Sequence, residues 1–331
     1  MVVGAADPVV DGALRTEGSL LKTITTASVA LILIAASAQA RTLEVGQGKA
    51  YAAPSAAIAA VQDGDTISIY PGQYFDCGVV SKNNVTVQGV GPAEQIVMTD
   101  KVCEGKALLV TRGANITVRN LTLTRARVPD ENGAGIRIEG PNQVIDHVRF
   151  VNNQNGILSG FNGSTITIRD SLFDKNGFCG NACAHGIYIG HSDLVRVEHS
   201  VFRETKQAHH IKSRARRTEV IDCDIQDGPT GTASYEIEAP NGGALVVRGT
   251  TIEKGPMAEN HSAAIVIGSE GIEQPTPEIT ITNNTFRNDG DFGTAFVNNL
   301  TATPAQLTGN HLSGRGPVTP LKGDGQVVAA R

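Results

Sequence analysis

A short phrase that recurs in the middle of the chain carries side chains able to exchange protons. Its four copies occupy residues 155–159, 185–189, 209–213 and 235–239. If the central isoleucine of each copy points inward in a coiled parallel sheet, the residue after it points outward. These outward residues are Leu158, Tyr188, Lys212 and Glu238. A phenol, an ammonium and a carboxylate on neighbouring strands are groups used in general acid–base catalysis, so the row predicts an active site.

The phrase belongs to a longer repeat that spans most of the chain. Its centres are Leu109, Ile136, Ile157, Ile187, Ile211, Ile237, Ile265 and Phe296. A second phrase follows, beginning at Val118, Ile145, Ile168, Val197, Val220, Val247 and Ile281. Two short strands per coil without a helical period predict an all-β, single-domain right-handed parallel β-helix, a β-solenoid, from about Leu43 to about Leu312. The Ala-rich segment 51–61 predicts a short N-terminal helix that caps the open end.

Composition agrees with a thin, stacked core. The 331 residues include 37 glycines and no tryptophan, and aromatic residues make up 4%. The formal net charge of −5 argues against a nucleic-acid partner. Basic residues nevertheless cluster in one coil, which is compatible with a polyanionic substrate. They are Lys206, Lys212, Arg214, Arg216 and Arg217.

The N-terminus reads as an export signal. Lys22 precedes an apolar run over residues 27–36 and the small-residue exit at 38–40. This pattern predicts cleavage near Ala40, a mature β-helix domain over 41–331, and a secreted or periplasmic monomer without a membrane anchor. Residues 1–21 are either an over-extended start, which we favour, or a genuine extension.

Five cysteines suit an oxidising compartment. Cys179 and Cys183 are expected to close a small disulfide that stiffens the rim of the active site, and Cys77 is expected to pair with Cys103. Cys223 is then a small buried residue. A zinc site is not expected, because the cysteines do not repeat a C-x2-C spacing.

Strict alternation of side chains along each strand predicts which residues of the phrases face outward. The residues predicted to share an outward patch are Tyr188, His210, Lys212, Arg214, Glu236 and Glu238. His185 and His209 stand two positions before their centres and are expected to turn inward or into a corner. His147 and His199 fall in the polar turn column, where they are expected to bond neighbouring coils. An ordinary solvent face with a Lys–Glu cross-strand pair is the alternative, but the convergence of these groups favours a site.

At these residues the chain resembles the pectate-lyase-like right-handed β-helix superfamily over roughly residues 41–315. The residues His210-Ile211-Lys212-Ser213 and Arg214, followed by Val220-Ile221-Asp222-Cys223, are similar to the Lys-Ser phrase of family 6 polysaccharide lyases. In that family a lysine is the base, an arginine one coil later is the acid, and Asn and Glu residues bind calcium. Here the next coil has Glu236 and Glu238 instead of arginine. The Asp-Pro-His-Asp signature of the epimerases and the aspartate pairs of polygalacturonases are missing from the sequence.

The resemblance implies β-elimination on an acidic, uronate-containing polysaccharide. Arg214 or Arg137 would neutralise the uronate carboxylate. Lys212, with a pKa lowered by Arg214, Arg216 and His210, would be the base, and Tyr188 or His210 the acid; a Tyr/His pair in reversed roles stays open. The expected substrate-binding residues are Arg137, His185, Arg216, Glu236 and Glu238. The two glutamates could also orient Lys212 or hold a calcium ion.

Three other functions remain open at this point. Glu236 and Glu238 would lie about 7 Å apart along a strand, a separation compatible with an inverting glycoside hydrolase. A uronate C5-epimerase would use the same proton abstraction. A non-catalytic carbohydrate-binding solenoid would show no turnover and would tolerate Lys212→Ala.

Overall fold

The computed structural model describes residues 39–329 and winds them into a parallel β-solenoid. Residues from Ala40 onward form one compact unit. The predicted export signal lies almost entirely outside the described residues. Within residues 39–329, no helix is both long and apolar enough to cross a membrane.

Three parallel sheets run the length of the solenoid. The first sheet has ten strands: Gly78–Val80, Ala107–Thr111, Ala134–Ile138, Asn155–Ser159, Ile187–Ile189, His209–Ser213, Tyr235–Ala239, Ala263–Ile267, Thr294–Asn299 and Val318–Lys322. The second has twelve: Thr42–Val45, Thr66–Ile69, Thr86–Gly89, Thr117–Arg119, Gln143–Asp146, Thr165–Arg169, Leu194–Glu198, Arg217–Ile221, Ala244–Arg248, Ile279–Thr282, Ala305–Thr308 and Gly325–Val328. The third has ten: Gly72–Tyr74, Ile96–Thr99, Thr122–Thr124, Arg149–Val151, Leu172–Asp174, Val201–Arg203, Asp224–Gln226, Thr251–Lys254, Thr285–Asn288 and His311–Gly314.

The predicted stacking of the first phrase is confirmed. Ile157 pairs with Ile187, Ile187 with Ile211, and Ile211 with Ile237, and all four are fully buried. The residues after these centres are in register as the row Leu158, Tyr188, Lys212 and Glu238. One predicted centre is wrong by a single residue, since Ile265 pairs with Val297 rather than Phe296.

The second phrase contains two strands rather than one, so a coil has three strands instead of the predicted two. The polar residue between them has a positive φ in each coil that carries it: Asn120, His147, Asp170, His199, Asp222 and Asn283, with φ from 48° to 56°. Asn and Asp tolerate this left-handed conformation better than most residues, and Gly249 takes the same position in another coil. The predicted bonding between neighbouring coils is confirmed, because the backbone N–H of His147 donates to the Arg169 carbonyl and that of His199 to the Ile221 carbonyl, both at 3.1 Å. Asn120 adds side-chain hydrogen bonds to the Gly89 and Gly91 carbonyls. The column therefore shares both the sharp turn and a backbone hydrogen bond to the next coil.

The two ends of the solenoid differ in part from the prediction. A helix, Pro54–Ala60, forms within the predicted segment and packs Ile58 against Gly78 of the first sheet. Ala93–Gln95 forms a short 3-10 helix. At the other end the strands continue to Val328, beyond the predicted limit at Leu312.

Aromatic stacking and disulfides complete the frame. Phe150, Phe173 and Phe202 of the third sheet stack inside the solenoid at centroid distances of 4.6 and 4.5 Å. The predicted disulfides are confirmed, with Cys77 bonded to Cys103 and Cys179 bonded to Cys183. Cys223 is free and buried, as expected.

Candidate active site

Side-chain alternation breaks just before the centre of each first-sheet phrase. A Cβ built on Gly135 would lie 2.7 Å from Phe150, and one on Gly156 would lie 2.7 Å from Phe173, so this position points into the solenoid. The centre points inward as well. Because two successive residues point inward, the residue two positions before the centre points to the outer face. The predicted directions of the residues one and two positions before each centre are therefore reversed.

His210 is therefore an interior residue, and its predicted place in the outward patch is wrong. Its side chain is fully buried. Nδ1 lies 2.8 Å from Thr205 Oγ1, and Nε2 lies 3.1 Å from Asp227 Oδ1. These partners occupy both ring nitrogens inside the core, away from any substrate on the outer face.

Glu236 is interior for the same reason, so its predicted roles toward substrate and metal are not compatible with its position. Lys254 Nζ lies 3.1 Å from its carboxylate and also donates to the Ser234 carbonyl at 2.9 Å. Burial, together with the nearby Asp227 carboxylate, raises the pKa of Glu236 well above its usual range, although Lys254 opposes the shift. Glu236 and Glu238 lie on opposite faces of one strand and cannot flank one glycosidic bond, which removes the hydrolase pair.

The column two positions before the centre faces outward and brings histidines into the site. His185 packs its ring edge against Tyr188 at 5.1 Å between centroids, and His209 lies 4.9 Å from His185. Tyr235 continues the column, 5.2 Å from His209. Burial, with His209 and Lys212 nearby, holds the pKa of His185 well below its ordinary value, so this imidazole is neutral at neutral pH.

Lys212 contacts two carboxylates and shares one of them, that of Glu270, with Arg214. Its Nζ is 2.9 Å from Glu238 and 2.5 Å from Glu270. Glu238 is buried, with His209 Nε2 at 2.8 Å and the Ser269 hydroxyl at 2.7 Å. Burial would raise the pKa of Glu238, but His209, Lys212 and Ser269 together outweigh it and lower the pKa.

Arg214 joins this cluster to the tyrosine. Its Nε donates to Tyr188 Oη at 3.0 Å, and Nη2 lies 2.5 Å from Glu270. Nη1 donates to the side-chain oxygen of Asn241. The guanidinium thus offers positive charge at the oxygen that would become negative when Tyr188 gives up its proton. Arg216, in contrast, is exposed at the turn after the strand.

Two clefts open on this face, and Tyr188 lines both. The first, of about 480 Å³, is lined by Arg137, Gly160, Gly190 and Arg214 among others. The second, of about 310 Å³, is lined by His185, His209 and Lys212 among others. The structure therefore brings Tyr188, Lys212 and Arg214 together, with Arg137 and His185 to either side.

Sequence reasoning missed His209, Asn241, Ser269 and Glu270. His209 was missed because strict alternation turned it inward. Asn241 and Glu270 follow first-sheet strands at the same end as Arg214, within the turn-forming runs Pro240-Asn241-Gly242-Gly243 and Gly268-Ser269-Glu270-Gly271. That shared location after the strand was the available signal.

The disulfide loop forms one rim of the second cleft. Phe178–Cys179 and Cys183–Ala184 pair as a short antiparallel hairpin, and Cys183 lines the cleft beside His185. The backbone N–H of Asn181 donates to the Glu131 carboxylate at 2.7 Å, which ties this loop to the loop before strand Ala134–Ile138, two coils earlier.

Calcium does not fit at Glu238. Calcium takes six to eight oxygen ligands, whereas the groups closest to this carboxylate include an ammonium and an imidazole. Among the described residues, the interior group His210, Asp227 and Glu236 has the donor spacing of a metal site. The Lys254 ammonium already supplies the positive charge there.

Comparison with known proteins identifies the fold. The family model described as "Right handed beta helix region" matches residues 180–323. An alginate lyase from Paenibacillus sp. str. FPU-7 superposes with a TM-score of 0.57 at 16% identity, covering 86% of this chain and 99% of the lyase. The pectin methylesterase from Aspergillus niger gives 0.52 at 10% identity, covering 86% and 91%. Open reading frame 18 of Geobacillus virus E2 gives 0.57 at 14% identity, covering 87% and 61%.

These likenesses define the class of architecture. The described chain has a right-handed parallel β-helix fold, the architecture that the matching family model describes. Comparison with curated protein sequences gave no significant match.

Proposed function

We propose that this protein is an exported lyase that cleaves an acidic, uronate-containing polysaccharide by β-elimination. The observation that carries the proposal is the contact of Tyr188 with Arg214, beside Lys212, on the outer face between two clefts. Two disulfides favour an oxidising compartment, in keeping with export of the chain from about residue 41 onward. One solved structure with this fold is an alginate lyase, so the architecture is compatible with the chemistry.

The reaction needs a neutralised carboxylate, a base at C5 and an acid at O4. Lys212 and Arg214 are two cations close enough to share one carboxylate, as their common contact with Glu270 demonstrates. With that charge neutralised, the C5 proton becomes acidic enough for removal by a positioned side chain.

Tyr188 is the group we assign to the proton transfer, in place of Lys212. In its deprotonated form, with Arg214 as counter-ion, the Tyr188 oxygen takes the C5 proton, the electron pair forms the C4–C5 double bond, and the C4–O4 bond breaks. The same oxygen then returns the proton to O4, or the neutral His185 accepts the first proton and Tyr188 donates the second. Arg214, 3.0 Å from the oxygen, stabilises the phenolate stage in either sequence.

A screen of acidic polysaccharides tests the proposal. Alginate, pectate and glycosaminoglycans are incubated with the secreted protein, and the ultraviolet absorbance of unsaturated uronate is followed. A rise on one polymer, with new non-reducing ends in mass spectrometry, is the expected result. Chain cleavage without unsaturation contradicts elimination.

A C5-epimerase is the second candidate, because the same cluster can remove the same proton. An epimerase returns a proton to the opposite face of C5 and leaves O4 bonded. Exchange of C5 hydrogen for deuterium without a fall in polymer length would identify it.

A further inference from the structure

Glu270 bridges the two cations that the proposed reaction requires. Its Oε1 lies 2.5 Å from Lys212 Nζ, and its Oε2 lies 2.5 Å from Arg214 Nη2. One carboxylate oxygen on each cation is the arrangement that would neutralise a uronate carboxylate. The free protein thus already holds a carboxylate at this position.

We infer that Glu270 is an internal stand-in for the substrate carboxylate and must move away before a uronate can bind. The inference rests on the proposed function, because that function places a uronate carboxylate at Lys212 and Arg214. Glu270 would then compete with acidic ligands for Lys212 and Arg214, and this competition would set their affinity.

Burial shows which member of the cluster can leave. The side chains of Lys212 and Arg214 are only 10% and 17% exposed, whereas that of Glu270 is 40% exposed. Glu238, the other carboxylate at Lys212, is 4% exposed and is held by Ser269 and His209. Glu238 is therefore the permanent counter-ion, and Glu270 is the exchangeable one.

The backbone around Glu270 is anchored, so the side chain can turn out without a movement of the loop. The Glu270 N–H donates to the Pro240 carbonyl at 3.0 Å, and the N–H groups of Glu273 and Gln274 both donate to Asn241 at 2.9 Å. Rotation of the side chain would expose Arg214 to the first cleft and Lys212 to the second.

Charge balance explains why such a group would be retained. Lys212 and Arg214 are balanced by Glu238 and Glu270 in the free protein. If a uronate replaces Glu270, the balance is preserved while Glu270 becomes solvated. Without Glu270, the free protein would hold two largely buried cations against one carboxylate, which is costly until a ligand binds.

Binding of sodium D-glucuronate tests this inference, with D-glucose as the uncharged probe. Isothermal titration calorimetry on the full secreted chain compares wild type with Glu270→Gln and Glu270→Ala. Glu278→Gln is the matched control, because Glu278 is 41% exposed and pairs with Arg217 at 2.8 Å outside the site. Circular dichroism establishes that each variant is folded.

We expect Glu270→Gln and Glu270→Ala to bind glucuronate at least about tenfold more tightly than wild type, a change of about 1.4 kcal/mol. Glu278→Gln should bind as wild type does, glucose affinity should not change, and Arg214→Ala should abolish the gain in a double variant. Unchanged or weaker glucuronate binding by both Glu270 variants would overturn the inference. Tighter binding without elimination on any polymer would keep the carboxylate site and refute the lyase, whereas elimination with unchanged binding would refute only the role of Glu270.

Discussion

The Tyr188 hydroxyl is the atom on which the proposed chemistry depends most. Tyr188→Phe removes the oxygen bonded to Arg214 but keeps the ring that packs on His185. We expect turnover to fall at least about 100-fold with the fold intact, because a group that transfers a proton contributes roughly this factor. The measurement is the initial rate of unsaturated product, together with the melting temperature.

A control tyrosine and a second site variant make this result interpretable. Tyr70→Phe removes a hydroxyl that contacts Glu44 far along the solenoid, and it should leave the rate unchanged. Lys212→Ala should also lower turnover at least about 100-fold, since it removes one of the two cations that neutralise the uronate carboxylate. Full turnover in both Tyr188→Phe and Lys212→Ala would show that the active site lies elsewhere.

The break in side-chain alternation in each first-sheet strand decides which side chains face the substrate. At Gly156 an added Cβ would lie 2.4 Å from the Gly186 carbonyl oxygen and 2.7 Å from Phe173. Gly156→Ala should therefore destabilise the protein by about 1–3 kcal/mol, since neither backbone nor stacked ring can move freely. Chemical denaturation measures the change.

The neighbouring Gly160 provides the matched glycine. Its added Cβ would come no closer than 3.4 Å to Arg137, at the far end of a flexible side chain. Gly160→Ala should have almost no effect on the free energy of unfolding. Equal effects at both glycines would contradict the inward direction of the Gly156 position.

The Cys179–Cys183 hairpin is the element that shapes the rim beside His185. Its cysteines are only 4 residues apart, so the bond constrains little of the unfolded chain. Replacing both cysteines by serine should lower activity more than stability. The Cys77–Cys103 bond spans 26 residues, and its removal should cost more stability and less activity. Activity assays and denaturation of both double variants are compared. A larger loss of activity without the Cys77–Cys103 bond than without the Cys179–Cys183 bond would refute the role of the hairpin in shaping the site.

On the scale of the whole molecule, a buried carboxylate on the third sheet has a protonation state that is linked to folding. Burial, with Asp227 and Asp289 nearby, raises the pKa of Glu253 to about 7, although the Gly228 N–H opposes this. A folded pKa above the ordinary value of 4.5 favours the protonated form. The stabilising contribution is therefore complete below about pH 4.5 and is lost as the pH rises through about 7.

Glu253→Gln mimics the protonated group and should remove this loss. We expect the variant to gain stability relative to wild type between about pH 4.5 and about pH 8, measured by denaturant unfolding at both values. Glu278→Gln should instead lose stability relative to wild type as the pH rises, because the hydrogen bond from Arg217 lowers the pKa of Glu278. If the free energy of unfolding changed equally with pH in wild type and Glu253→Gln, the linkage would be contradicted.

Much of the molecule was determined by the sequence alone. The coil period, the buried isoleucines, the row from Leu158 to Glu238 and both disulfides were predicted correctly, because each follows from the repeat or from cysteine spacing. The third strand of each coil was also present in the pattern, at the apolar residue after the polar turn.

Only the tertiary structure decided which residues share the site. Alternation is a local rule, and it failed where the rings of Phe150 and Phe173, on another strand of the same coil, fill the space above Gly135 and Gly156. That break in alternation placed His210 and Glu236 inside and His209 outside. Glu270 reached Lys212 from 58 residues away because coils stack in space, so contacts between them depend on turn lengths that side-chain periodicity does not encode.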